Sequence, residues 1–167
     1  MTADWHLGHE AIIGYTGRPW RNANEMNGAL LANALEVLRP TDTLYVLGDF
    51  AFQPDVFLAY QDALLSMCKV EFLHGNHDPK KFASLHRLAA DLRWNKRHYY
   101  ICHYPWQSFR PNTVMIHGHC HGNEITQNED QRQQMRYDVG VDAEWEGRRY
   151  YPVSVEQIER RIDSVSS

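Results

Sequence analysis

The sequence contains metal-capable side chains in short clusters spread over most of its length. Ten histidines in 167 residues is a high content. Two pairs, Asp4 with His6 and His119 with His121, have an i, i+2 spacing that puts both side chains on one face of an extended segment. Imidazole and carboxylate together suit Zn, Mn or Fe, and two such ions can share a bridging carboxylate. The residue types therefore predict a metal site, and metal-assisted hydrolysis is the chemistry that it would support.

Further metal-capable residues directly follow apolar segments that have the composition of strands. Asp49 follows TLYVL, Asn76 and His77 follow KVEFLH, and His103 follows YYIC. In open α/β sheets the loops at the carboxyl ends of the strands converge on the ligand site. We therefore expect these side chains to meet at one edge of a sheet.

The elements that must position these residues alternate between helix and strand early in the chain. Asn22 or Asn24 caps a helix predicted over roughly 25–38, which stops before Pro40. Prolines 54 and 79 open two more predicted helices, and Ser154 with Gln157 forms a capping box for a C-terminal helix. The predicted strands are Thr43–Leu47, Lys69–His74, Tyr99–Cys102, Thr113–Ile116 and Tyr137–Val141. This order predicts a layered α/β protein.

Composition indicates a single soluble domain over residues 1–167. The chain is 43% hydrophobic and 23% charged with a net charge of −4, which argues against a polycationic nucleic-acid binder. Its apolar runs are too short to span a membrane, and no secretory signal is visible at the start. Three cysteines without a CxxC pair favour a reducing, cytoplasmic compartment.

The order of the motifs resembles the five signatures of the calcineurin-like metallophosphoesterases. GNHD at 75–78 and GHCH at 118–121 are specific together, whereas the Asp4-x-His6 and Gly48-Asp49 matches would be weak alone. The surrounding sequence resembles the small bacterial single-domain branch of that superfamily. The resemblance implies a layered α-β-β-α sandwich of two mixed sheets flanked by helices. It also implies a metal site at the carboxyl ends of the strands.

The resemblance also implies roles for individual residues. Two divalent ions (Mn, Fe, Zn or Ni) would be held by two sets that share a bridging Asp49, namely Asp4, His6, Asp49 and His121 for one ion, and Asp49, Asn76, His103 and His119 for the other. A hydroxide bridging the ions would hydrolyse phosphomonoesters or phosphodiesters. His77 would assist the leaving group, and Asp78 would orient His77. Near the first motif, His9, Arg18 and Arg21 are candidate substrate-binding residues.

Two alternatives remain at this level: a non-catalytic interaction scaffold on the same fold, and a small nuclease. The negative charge argues against nucleic acid and leaves a small phosphorylated substrate as the expected partner. Specificity would lie in loops around 9–22, 50–55, 104–112 and 122–136, which carry no diagnostic motif. Only three residues precede Asp4, a reach of about 10 Å. We therefore expect a truncated first strand, with Asp4 and His6 the least firmly anchored ligands.

Overall fold

The computed structural model of the protein describes residues 1–106, 110–123 and 135–165. Parts of the predicted loops 104–112 and 122–136 therefore lie outside the described residues. The helices are α1 (Glu10–Thr16), α2 (Ala23–Val37), α3 (Pro54–Leu65) and α4 (Val155–Val165). The strands are β1 (Thr43–Leu47), β2 (Lys69–Leu73), β3 (Ala89–Trp94), β4 (Arg97–Cys102), β5 (Thr113–His117) and β6 (Arg136–Asp138). No helix within the described ranges has the length and apolar character needed to cross a membrane.

Two sheets organise the described chain, as expected for a layered α/β fold. In the first sheet β1 pairs in parallel with β2, which the α3 crossover requires. The second sheet has the order β3-β4-β5-β6, with β3 antiparallel to β4 and the other pairs parallel. The two-sheet α/β prediction is confirmed. Of the two sheets, the second is mixed, whereas the β1–β2 pair is parallel.

The segment before Asp4 connects the two sheets. Thr2 pairs with Val46 of β1, and Ala3 pairs with Gly140 just after β6. Both residues are fully buried, and so is Asp4. Asp4 and His6 are also held by backbone hydrogen bonds, to the Gly48 and Asp49 carbonyls at 3.1 and 2.9 Å. These contacts argue against the expectation that Asp4 and His6 are the least firmly anchored ligands.

Local signals place most helix starts correctly. Asn22 caps α2, its side chain accepting a hydrogen bond from the Glu25 N–H at 2.9 Å. Pro54 is the first residue of α3. Ser154 and Gln157 form the reciprocal bonds of a capping box before α4, at 2.9 and 3.2 Å. These predictions are confirmed.

The prediction of an α-helix after Pro79 is wrong. The chain makes a single 3₁₀ turn over Lys80–Phe82, without a side-chain cap. The carboxylate of Asp78, the expected cap, accepts hydrogen bonds from backbone N–H groups of its own loop and of the loop after β1. Helix α1 and strand β3 have no counterpart in the sequence prediction. β3 is an edge strand whose residues are all partly or fully exposed, so it lacks the burial alternation of a half-buried strand.

Separate hydrophobic clusters support the two sheets. One includes Met26 and Phe57 from α2 and α3, and the other includes Ile116 of β5 and Ile158 of α4. Trp5, between two candidate ligands, belongs to the first cluster, and its Nε1 donates to Thr2 Oγ1 at 2.8 Å. Trp5 therefore packs beneath the site and does not form a wall of it.

Candidate metal centre

Side chains from distant parts of the sequence meet where the two sheets come together. Six of the seven predicted metal ligands form two groups, and within each group the candidate ligand atoms lie within 4.8 Å of one another. The first group is Asp4, His6 and His121, and the second is Asp49, His103 and His119. The predicted convergence of the strand ends is thus confirmed for these six residues.

Asp49, a member of the second group, also faces the first group. Its Oδ2 is 3.5 Å from His6 Nε2 and 3.4 Å from His103 Nε2. Asn76, the seventh predicted ligand, has its Oδ1 3.0 Å from the same His103 nitrogen. The carboxylate of Asp49 therefore faces nitrogens of both groups, as a bridging ligand would.

Most candidate ligands have a left-handed backbone conformation. Five of them have φ between 51° and 72°, namely Asp4, His6, Asp49, His119 and His121. Such conformations cost side-chain-bearing residues on the order of 1–3 kcal/mol each, and they persist only where the surroundings hold them. A cluster of five at one place is typical of a functional site.

The buried polar atoms at the centre fit a cation. Among the described residues, Asp4 Oδ1 and both ring nitrogens of His6 are buried without a hydrogen-bond partner. Burial raises the pKa of Asp4 to about 8 and lowers the pKa of His6 to about 3. Unpaired buried groups are costly. A divalent ion would satisfy the carboxylate oxygen and a neutral imidazole nitrogen together, so the donor set fits a metal.

Opposing effects act on the other buried ligands. Burial disfavours a charged His103 ring, but its hydrogen bond to Asp49 and the charges of Asp49 and Asp4 raise its pKa. For His121, the hydrogen bond to Asp142 likewise outweighs burial and raises the pKa. Burial works against charge on Asp49 as well, yet His103 and other donors lower its pKa to about 2. Asp49 is therefore ionised and ready to bind a cation.

Arg18 lies beneath the centre and not at its mouth. Its guanidinium donates to both carboxylate oxygens of Asp142 at 2.8 Å, to the carbonyl of Asp4 at 2.7 Å and to the carbonyl of Trp5 at 2.8 Å. Asp142 Oδ2 is also 2.7 Å from His121 Nδ1. The Arg18 side chain has no exposed surface, which corrects the expectation that it contacts substrate. It holds the first group in place from below.

Asp142 is a site residue that the sequence reading missed. It lies four residues after the end of β6, and a carboxylate oxygen orients the His121 ring. Orienting carboxylates of this kind fix the tautomer of a metal-binding histidine. Its position shortly after a strand, as for Asp49, is a signal that could have identified it.

Asp78 holds two loops together. Its carboxylate accepts hydrogen bonds from the backbone N–H groups of Asp49 at 3.0 Å, Phe50 at 2.7 Å and Gly75 at 2.8 Å. These contacts correct the expected role, because the buried carboxylate orients the Asp49 and Gly75 backbones and not the His77 ring. The backbone N–H of His77 in turn donates to Asp49 Oδ1 at 2.8 Å.

The structure brings two of the remaining candidates to the centre. The exposed His77 ring lies 5.2 Å from the His6 ring, measured between centroids. The His9 ring lies 5.8 Å from His6 and 6.4 Å from His77. Arg21, by contrast, is exposed and paired with Glu25 at 3.1 Å near the start of α2. His77 and His9 therefore line the opening of the centre.

Comparison with known proteins agrees with this geometry. Residues 3–140 match the family model described as calcineurin-like phosphoesterase superfamily domain. An uncharacterized protein of Methanocaldococcus jannaschii, MJ1445, is 33% identical over 128 residues, which cover 75% of this chain and 70% of the relative. The crystal structure of a protein of unknown function from Aquifex aeolicus, AQ665, matches with a TM-score of 0.71 at 24% identity, over 98% of this chain and 96% of that one. The chain belongs to the calcineurin-like phosphoesterase superfamily.

Proposed function

We propose that the protein hydrolyses phosphomonoesters or phosphodiesters of small molecules at a centre of two divalent metal ions. The observation that carries the proposal is the position of Asp49, whose carboxylate lies about equally far from a histidine nitrogen of each group. Membership of a phosphoesterase superfamily supports the reaction type. The ions would be Mn, Fe, Zn or Ni, all of which accept imidazole and carboxylate ligands.

Each residue group has a distinct part in this proposal. Asp4, His6 and His121 would hold one ion, and Asn76, His103 and His119 would hold the other, with Asp49 shared between them. When bound, two such ions lower the pKa of a water molecule and offset the negative charge of the phosphoryl oxygens. The Arg18–Asp142 pair holds the Asp4 backbone and the His121 ring, two parts of the group that would bind the first ion.

His77 would supply the proton that the leaving group needs. The His77 ring is exposed and adjoins His6. The backbone N–H of His77 donates a hydrogen bond to the shared Asp49 carboxylate. This backbone bond holds His77 next to the shared Asp49, while its ring lies beside His6 of the first group. An imidazole at this position can protonate the departing oxygen.

The experiment that tests the proposal combines metal analysis with turnover in one sample. We expect the purified protein to bind two metal ions per chain and to hydrolyse bis-p-nitrophenyl or p-nitrophenyl phosphate in Mn²⁺. His77→Ala should lower kcat by about 10²–10⁴-fold while the metal content stays unchanged. His98→Ala, at the opposite end of β4 from His103, is the matched control and should retain activity. Absence of both metal and turnover would support the scaffold alternative, and loss of metal in His77→Ala would contradict the proposed role of His77.

The shared carboxylate gives a second prediction. Asp49→Asn removes the negative charge that faces both groups, so we expect weaker binding of both ions and not of one alone. Elemental analysis after gel filtration measures this directly, with Asp62→Asn on the exposed surface of α3 as the control. Two ions retained through gel filtration by Asp49→Asn would show that Asp49 is not the bridge.

A further inference from the structure

A group of aromatic rings lies at the opening of the metal centre. Phe52 and Tyr15 are 47% and 79% exposed, a large exposure for such side chains. Both contact His9. The Phe52 ring stacks on His9 with centroids 4.8 Å apart and planes 17° apart, and the Tyr15 ring meets His9 edge-on at 6.4 Å. These three residues, Tyr15, Phe52 and His9, are named the aromatic rim.

The aromatic rim adjoins the residue that we assign to the leaving group. The centroid of the His77 ring is 6.3 Å from that of Phe52 and 6.4 Å from that of His9. On its other side His77 lies 5.2 Å from His6 of the first metal group. A substrate whose phosphate lies at the metals and whose leaving oxygen lies at His77 would therefore direct its leaving group toward the rim.

Backbone contacts hold the rim in position. The Phe52 N–H donates to the Leu7 carbonyl at 3.0 Å, and Leu7 also pairs with Ala51 in a parallel bridge. His9 is the residue before α1, and its N–H donates to the His6 carbonyl at 3.0 Å. Tyr15 is carried by α1 itself. Because the backbone positions are held, the exposed rings stay at the opening, and a ligand that binds them orders less of the chain.

We propose, resting on the proposed function, that the aromatic rim is a subsite for a planar aromatic ring in the leaving group of the substrate. Aromatic faces and edges attract another planar ring in offset-stacked or edge-to-face contact, beyond the effect of apolar burial. A saturated group of the same size would bury similar area without that attraction. The ring belongs either to a nucleobase or to an aryl group close to the phosphorus.

The first test compares two ligands that differ in planarity. Benzylphosphonate and cyclohexylmethylphosphonate cannot be hydrolysed and are similar in size and charge. We expect calorimetric titration of the Mn²⁺-loaded protein to give about 2- to 10-fold tighter binding of benzylphosphonate. Phe52→Leu keeps an apolar side chain but removes the ring, so it should reduce this ratio toward one. Trp94→Leu on β3 is the matched control, because Trp94 is 46% exposed, and the ratio should be unchanged.

A second pair of ligands identifies the source of the ring. Adenosine 5′-monophosphate and ribose 5-phosphate share a sugar phosphate and differ in the base. A preference for the nucleotide that Phe52→Leu abolishes would identify a nucleobase, and a preference confined to benzylphosphonate would identify an aryl group. Either result supports the subsite. No preference in either pair, or a preference that Phe52→Leu leaves intact, would overturn it.

Turnover separates this inference from the proposed function on which it rests. Benzyl phosphate and cyclohexylmethyl phosphate, with their methyl diesters, are assayed on the same preparation. Equal hydrolysis of the benzyl and the cyclohexylmethyl esters would support the phosphoesterase proposal and overturn the subsite. Ring-selective binding without hydrolysis of any ester would overturn the phosphoesterase proposal and keep the subsite.

Discussion

Arg18 and Asp142 support the candidate metal centre from outside its set of ligands. Buried charges are tolerated when they are paired and hydrogen-bonded. The planar guanidinium matches both oxygens of Asp142 and still reaches the Asp4 carbonyl. Asp142 in turn bonds His121. The pair therefore holds the Asp4 backbone and the His121 ring, both of which belong to the first group.

Arg18→Lys tests this arrangement at the residue scale. Lysine keeps the charge but lacks the several planar N–H donors of the guanidinium. It therefore cannot donate to both Asp142 oxygens and the Asp4 carbonyl at the same time. We expect metal affinity at the first group to fall by about 10- to 100-fold, measured by competition with a chelator. Urea unfolding of the metal-free variant would measure the loss of stability separately.

A matched control exists in Arg97→Lys. Arg97 also contacts two acidic residues, Glu159 and Asp163, at 2.9 and 2.7 Å. Those contacts join β4 to α4 on the surface. Metal affinity should therefore be unchanged in Arg97→Lys. Unchanged affinity in Arg18→Lys as well would contradict a positioning role for Arg18.

At the scale of elements, the loops after β1 and β2 pack backbone against backbone. A Cβ at Gly75 would lie 2.2 Å from Asp49 Oδ1 and 2.3 Å from Asp49 N, and only glycine permits this approach. Asp78 bonds both loops from below. The close packing of these loops brings Asn76 and Asp49 to the same ligand, His103.

Gly75→Ala should therefore disturb the second metal group. The added methyl forces the two loops apart, so we expect unfolding free energy to fall by about 1–3 kcal/mol and metal content to fall with it. Gly14→Ala in α1 provides the opposite case, because nothing lies within 4 Å of its added Cβ. That substitution should raise stability by about 0.5–1 kcal/mol. Equal stability of Gly75→Ala and the unmodified protein by urea titration would contradict the close packing.

At the scale of the whole molecule, the candidate centre joins segments that are far apart in the sequence. Asp4 comes from the segment between the sheets, Asp49 from the end of the first sheet, and His103 from the end of the second. A bound ion would cross-link these three segments. Metal binding should therefore stabilise the tertiary structure as well as supply chemistry.

This linkage predicts a metal effect that depends on pH. In the metal-free protein the pKa of Asp4 is raised to about 8, and those of His103 and His121 are raised as well. A proton therefore occupies Asp4 at neutral pH, and the raised pKa values of His103 and His121 also favour bound protons. An ion must displace these protons, so affinity falls as pH falls from 8 to 6. An ion at 100 times its Kd would stabilise the fold by about 2.7 kcal/mol.

Thermal unfolding with Mn²⁺ and with EDTA, at pH 8 and at pH 6, measures this prediction. The sign follows from the raised pKa of Asp4. Between pH 3.8 and about 8 the metal-free folded state keeps the Asp4 proton that the unfolded chain loses, so the contribution of Asp4 to stability falls as pH rises through this range. The rise in Tm caused by Mn²⁺ should accordingly be larger at pH 8. A larger rise at pH 6 would contradict the prediction.

The sequence alone determined the features that depend on neighbouring residues. Asn22 and Ser154 cap helices because their side chains reach N–H groups three residues away. Four of the six grouped ligands, namely Asp49, His103, His119 and His121, could be identified because they follow strands, and strand ends converge in this fold class. Asp4 and His6 could be identified from their i, i+2 spacing and the resemblance of their motif. Local patterns of this kind are readable along the chain. They predict the fold class and the residue types of the candidate centre.

Only the tertiary structure decided which polar groups are paired in the interior. Arg18 and Asp142 are 124 positions apart, and no local pattern links them. Asp78 has the spacing of a helix cap, yet the buried N–H groups of Asp49 and Phe50 compete for its carboxylate. A buried donor without a partner costs more than a lost cap at the surface. Long-range packing therefore determined that Arg18, Asp142 and Asp78 support the centre from below.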